Sequence, residues 1–204
     1  VEAEALRINA LGTVRELRNR LRQGEVRFAG VEDEARASFA RRFRRLDDSL
    51  FDVVDGPSGD DASLRPNQLF AAALPYGPLV DREIVQSCAP LLTSLGLRSL
   101  APEDPDYHSL HRGNSHERDR AYHTGTVWPW LMGPYVAAAI AVGIDPAGLL
   151  DGLEPHLHEF GLGSISETAD GAAPHGATGT PFQAWSVAET LRARRLIQRT
   201  AGTY

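Results

Sequence analysis

The stretch that decides the reading is Tyr122-His123-Thr124-Gly125-Thr126-Val127-Trp128-Pro129-Trp130. It holds two of the chain's three tryptophans, one residue apart across a proline. Arg118 and Asp119 lie just before it, and an Ala-rich, almost wholly apolar run from Leu131 to Val142 follows. Aromatic faces beside charged and hydrogen-bonding groups suit the grip on a sugar: rings stack on its C–H faces and polar groups take its hydroxyls. The same tryptophans could instead fill a core. Alternation about Pro129 predicts different surroundings for Trp128 and Trp130, one lining a pocket and the other packed.

Outward from this motif the chain reads as helices. Leu6, Ala10, Val14, Leu17 and Leu21 recur at helical spacing over 2–23, with Gly24 as a stop. Val31, Ala35, Phe39, Phe43 and Leu46 repeat the pattern over 31–46, with acidic residues in the first turn. The arginines between 36 and 45 read as a solvated face. A further helix is expected over 80–95, with Ile84, Val85, Cys88, Leu91 and Leu92 inward. The apolar run over 131–142 reads as a buried helix, and another is expected from Asp145-Pro146 to about Phe160. The last, over 182–199, takes Trp185 into the core. Leu50–Val54 and Leu97–Ala101 are short runs that could be extended. The expected fold is therefore all-α, a set of six or seven helices in hairpins with few strands. Between them lie three long polar loops, 47–68, 101–130 and 161–183. Loops of that length are uncommon unless functional, and loops emerging at one end of stacked hairpins would share a pocket.

Composition narrows the function classes. The net charge is −6 and all 21 basic residues are arginines, without a patch dense enough for nucleic acid. No apolar run is long enough for a membrane span. The single cysteine, Cys88, excludes a disulfide within the chain and fits a reducing, cytoplasmic setting. The abrupt start at Val1, inside a helix pattern, is read as sequence missing upstream. The acidic residues over 47–63 lack the alternating ligands and closing Glu of a calcium loop. His108, His111, His116 and His123 match no zinc spacing, so the first three read as solvated loop residues and no metal or cofactor is expected. Asn67, in Leu64-Arg65-Pro66-Asn67-Gln68, either points at a ligand or caps a helix started by Pro66.

These blocks resemble the glycogen debranching enzyme family, in its amylo-α-1,6-glucosidase domain. The likeness runs through Leu64-Arg65-Pro66-Asn67-Gln68, Gly96-Leu97-Arg98-Ser99-Leu100 and the Tyr122–Trp130 motif. It continues through Ser164-Ile165-Ser166-Glu167 and Gln183-Ala184-Trp185-Ser186-Val187-Ala188-Glu189 in the expected order. The resemblance implies an (α/α)6 barrel of about a dozen helices, which at ordinary element lengths is nearly twice this chain. Residues 1–204 are thus expected to form one domain, the C-terminal half of such a barrel. A half barrel would expose apolar helix faces, which points to a homodimer or to a missing N-terminal half as partner.

The implied activity is hydrolysis, with inversion, of the α-1,6-linked glucose at a trimmed branch point of an α-glucan. Inverting glycosidases need two carboxyl groups, one protonating the leaving oxygen and one activating water. The resemblance places the general base at Glu167, with Asp170 in reserve, and puts the general acid, an Asp, upstream of Val1; the chain alone would then be inactive. Asp119 reads as a substrate hydrogen-bonding group or an ion-pair partner of Arg118. His123 either bonds a glucose hydroxyl or is a satisfied buried histidine. Tyr122, Trp128 and Trp130 complete the expected sugar-binding set. The competing readings are a non-catalytic carbohydrate-binding or interaction module and another (α/α)-barrel glycosidase.

Overall fold

The computed structural model describes residues 1–23 and 29–202. Among the described residues eight α-helices dominate, and about 47% of those residues are helical. The helical class is therefore as expected, but short antiparallel sheets occupy the loops. The first helix, α1 (Glu2–Arg20), pairs with α2 (Ala29–Phe43) and with α3 (Phe70–Ala73), a short helix that follows the 3-10 turn Pro66–Leu69. A second group forms around α6 (Met132–Ala141), which packs against α3, against α4 (Arg82–Ser87) and against the C-terminal α8 (Ala184–Thr200).

The stripe expected to bury α1 faces outward. Leu6, Val14, Leu17 and Leu21 are 43–65% exposed, while Ala5, Ile8 and Gly12 are buried. Close approach selects the other face. A Cβ on Gly12 would lie 2.6 Å from that of Tyr76, so only glycine lets the 70–76 segment sit this near the helix. An ion-pair clamp fixes the rotation. Glu32 on α2, with its side chain 1% exposed, accepts from Arg36 Nε at 2.9 Å. Its other carboxylate oxygen faces Arg15 of α1 at 2.9 Å, as an ion pair rather than an aligned hydrogen bond. Gly24, read as the stop of this helix, lies outside the described residues.

Proline and glycine shorten two other expected helices. The 80–95 helix ends at Ser87, where Pro90 replaces the α-helical pattern by a 3-10 turn, Ala89–Leu91. Ile84, Val85, Cys88 and Leu91 are nevertheless buried as the periodicity requires. Of the expected helix after Asp145, only α7 (Leu153–His156) forms, because the chain passes through turns at 147–152.

Two sheets join the loops. A hairpin pairs β1 (Val53–Gly56) with β2 (Gly59–Asp61). A four-stranded antiparallel sheet runs in the order β3 (Leu97–Arg98), β4 (Val127–Trp128), β5 (Thr168–Ala169), β6 (Ala177–Thr178). It brings the 101–130 and 161–183 loops side by side. The main core lies beneath it, where Leu97, Val127 and Ala169 meet Met132, Ala138, Leu131 and Leu91. No helix among the described residues is long and apolar enough to cross a membrane.

Candidate active site

The decisive motif is built outward from a helix end. Asn114 and Glu117 form a capping box that starts α5 (Ser115–Tyr122). After the helix stops at His123, Thr126 Oγ1 donates to the Ala121 carbonyl at 2.8 Å and turns the chain into β4. Side chains alternate across a strand, so Val127 enters the core and Trp128 emerges on the other side. Trp128 Nε1 donates to the Tyr122 carbonyl at 3.1 Å, which fixes the indole against the helix it follows. Pro129 opens a 3-10 turn, Pro129–Leu131, and strand alternation ends there. That is why Trp130 reaches the same cavity as Trp128, contrary to the separate surroundings expected from their spacing.

The cavity holds about 560 Å³ and is lined by all three tryptophans, with His123, Asn67, Arg65, Asp52, Asp61, Ser99 and Glu2. Its aromatic lining comes in two stacked groups. The His123 ring lies parallel to Trp128, 4° between planes and 5.7 Å between centroids, and the ring of Tyr122 stands edge-on to Trp128 at 4.6 Å. Trp130 stacks on Trp185 at 4.0 Å. Trp185 is thus 52% exposed on the cavity wall and does not enter the core as its apolar neighbours predict. The first turn of α8 places it where it can cover Trp130. An adjoining groove of about 580 Å³ shares Trp130 and Trp185 and continues along Leu6, Phe70 and Pro134.

The same cavity has a polar corner. Asn67 Nδ2 donates to Asp52 Oδ1 at 2.9 Å, and Arg65 Nε lies 3.5 Å from Asp52 Oδ2. The Arg65 guanidinium also donates to the carbonyls of His123 at 2.6 Å and Ser99 at 3.1 Å, which ties this corner to the aromatic lining. Burial pushes the Asp52 carboxyl above the usual carboxylate range; the Asn67 hydrogen bond and the Arg65 charge oppose the shift, while Glu2 adds to it. Burial, followed by the nearby Arg65 charge, holds His123 below the ordinary imidazole value and favours its neutral ring. Asn67 sits in the first turn after Pro66 but makes no cap bond to that helix; its amide is on Asp52.

Glu167 lies behind the aromatic wall, next to β5, and is not part of the cavity lining. Tyr122 Oη donates to Glu167 Oε1 at 2.5 Å, and the Thr180 N–H donates to Oε2 at 3.0 Å. Burial and the Glu167 carboxylate push the Tyr122 phenol up to about 12, so it stays a donor. Gly179, at φ +68°, closes the turn beneath; a Cβ there would lie 2.6 Å from Glu167 Oε2. Tyr122 is therefore the link between the Trp128 wall and this carboxylate.

The remaining candidates lie elsewhere. Arg118 donates to the Gly113 carbonyl at 2.6 Å in its own loop. Asp119 makes no ion pair with it among the described residues and lines a shallow depression with His116 and Arg120. Asp170 is buried at 2% exposure, accepting from the His111 N–H at 2.9 Å and from Arg112 Nε at 2.7 Å, so its role is to anchor the loop. His111, expected to be solvated, is 8% exposed beneath Tyr122, with Nδ1 3.1 Å from Thr178 Oγ1. Of the polar and aromatic residues lining the cavity, Glu2, Asp52, Asp61, Arg65, Ser99 and Trp185 were not expected from the sequence to form a site. Arg65, Ser99 and Trp185 fall inside stretches that carry the family likeness, which is the signal that could have found them; Glu2, Asp52 and Asp61 carried none.

Three tryptophans and a histidine thus share one cavity with a carboxylate, an amide and a guanidinium. The sequence profile of the family described as Amylo-alpha-1,6-glucosidase matches residues 1–192. The chain belongs to this family. No curated protein matches it. Within the amylo-α-1,6-glucosidase family the chain is a domain related to the glucosidase of glycogen debranching enzyme and to glycoside hydrolases. Its aromatic motif and the Glu167 loop both fall inside the matched region.

Proposed function

We propose that the cavity binds the glucose unit of an α-1,6 branch and that the domain belongs to an inverting hydrolase acting on glycogen or a related α-glucan. In this reading residues 1–204 form one cytoplasmic domain, the C-terminal half of an (α/α)6 barrel. Glu167 is the general base that deprotonates the attacking water, and an Asp in sequence before Val1 protonates the leaving oxygen. The observation that carries the proposal is the cavity itself, with its Trp128–His123 wall and its Asp52–Asn67–Arg65 corner. Glu167 is suited to its role by its anchoring: each oxygen accepts one hydrogen bond, and an ionised carboxylate has about four acceptor positions, which leaves room for water.

Titration with isomaltose or panose, followed through tryptophan emission, tests the binding part. A saturable change is expected, and its absence at millimolar sugar would sink the reading. Turnover of panose by the complete protein, with the anomer of the released glucose followed by NMR, tests the chemistry; a retained anomer would exclude inversion. A second reading, a binding module without catalysis, is favoured by the position of Glu167 outside the cavity lining. The two separate on Glu167→Gln in the complete protein. The hydrolase loses turnover and keeps sugar binding, whereas the module has no turnover to lose.

A further inference from the structure

The polar corner contains a carboxylate whose sequence context, Asp47 to Ser63, reads as turn chemistry. In the structure Asp52 is the best-held acidic group of the cavity. Its backbone N–H donates to the Asp61 carbonyl at 2.8 Å, next to the β1–β2 hairpin, so the hairpin sets its height. Its side chain is 13% exposed and is steadied by Asn67 from one segment and by Arg65, which is itself tied to the His123 and Ser99 carbonyls. Asp61, by contrast, accepts from the N–H of Ser63 at 2.8 Å in an ordinary local turn. Of Asp52's acceptor positions, Asn67 occupies one and Arg65 at 3.5 Å is a looser ion pair, so others remain for groups that enter the cavity.

A sugar stacked by its C–H face on Trp128 or on the Trp130–Trp185 pair directs its equatorial hydroxyls sideways, away from the ring faces. Two neighbouring hydroxyls are matched by one carboxylate with two oxygens, because each O–H can donate to a separate oxygen. We propose that Asp52 is the specificity-determining residue of this cavity, accepting hydrogen bonds from two adjacent hydroxyls of the bound glucose unit, with Asn67 and Arg65 holding its carboxylate in place. This inference rests on the reading of the cavity as a glucose site.

The test combines side-chain and ligand deletions. The chain and its Asp52→Ala, Asp52→Asn and Trp128→Ala variants are titrated with isomaltose and with isomaltoses lacking single hydroxyls on the non-reducing glucose. Tryptophan emission is the readout for the Asp52 variants, and calorimetry is used for all. Loss of a charge-assisted hydrogen bond of this kind is expected to weaken isomaltose binding by about tenfold or more in Asp52→Ala. Asp52→Asn, which keeps a partner for Asn67, guards against a folding defect and should also bind more weakly. For the two deoxy sugars that lack the recognised hydroxyls, the Asp52→Ala penalty should shrink towards nothing. An equal penalty on every deoxy sugar would mean that Asp52 acts only by holding the loop, and would overturn the proposal. Unchanged isomaltose binding in Asp52→Ala, together with its loss in Trp128→Ala, would also overturn it while leaving the glucose-site reading intact. If the parent chain binds no isomaltose, that reading fails and the proposal fails with it.

Discussion

Replacing Tyr122 by phenylalanine isolates the one hydrogen bond that connects the aromatic wall to Glu167. The ring contacts survive, since the edge-on packing on Trp128 at 4.6 Å and the contact with His111 at 5.3 Å do not use the hydroxyl. What is lost is the 2.5 Å bond to Glu167 Oε1, while Oε2 keeps the Thr180 N–H. Hydrogen bonds to charged groups contribute about 1.5–3 kcal/mol, and Glu167 is only half-buried, so the low end applies, about 1.5 kcal/mol. For a domain of this size that corresponds to a fall in Tm of about 3–6 °C. Urea unfolding of Tyr122→Phe, Glu167→Gln and the double variant should give a coupling of about 1 kcal/mol with an unchanged m-value. The sign of the pH dependence follows from the raised phenol pKa. The contribution is fully present below the ordinary phenol range and is lost as pH rises through about 12. A Tyr122→Phe variant with the parent's urea midpoint, and no coupling to Glu167, would refute the claim that Tyr122 holds this carboxylate.

Three further outcomes are expected. Gly179→Ala forces a side chain into left-handed backbone at φ +68° and against Glu167; about 1–2 kcal/mol of stability should be lost in urea unfolding, and more if Glu167 is displaced. Because burial raises the Asp52 carboxyl, isomaltose binding should be full above that raised value and decline as pH falls through it. The same shift works the other way on stability: the folded chain takes up the Asp52 proton more readily than the unfolded one, so this group favours folding at low pH and that contribution is lost as pH rises, which a parallel urea series on Asp52→Asn would show as a flattened slope. Burial pushes the Cys88 thiol up to about 12, so a thiol reagent at neutral pH should label the native chain negligibly and take up one equivalent only after unfolding.

The sequence displayed the helical class, the inward face of α4, the burial of α6 and the aromatic content of the site, because periodicity and residue type are local properties. Partner choice is not local. Periodicity pointed the leucine stripe of α1 inward, but the packing of Tyr76 on Gly12 with the Arg15–Glu32–Arg36 clamp buried the face with smaller side chains instead. Trp185 has the neighbours of a core residue, and only the arrival of Trp130 from a segment 55 positions earlier turns it into a wall. Asp52 looked like one more turn aspartate until the β1–β2 hairpin brought it to Asn67. Of the four-stranded sheet only β3 lay in a run expected to be extended, Leu97–Ala101; the other strands, two residues each, carry no readable alternation and are defined by partners such as Val127 and Ala169 that lie far apart in the chain. Tyr122 and Glu167 were each singled out, but their hydrogen bond across 45 positions was not something spacing could show.

The placement of the tryptophans has an optical consequence. All three of the chain's indoles lie on one cavity, so no tryptophan emits from elsewhere in the fold. Trp130 and Trp185, stacked at 4.0 Å with 21° between their planes, are close enough for their transitions to couple, which would give a paired signal in near-ultraviolet circular dichroism. Trp128, under the His123 ring, is placed to be quenched when that imidazole takes a proton. The domain therefore carries its own label: stacking geometry, histidine protonation and cavity occupancy can each be followed by light, without attaching a probe.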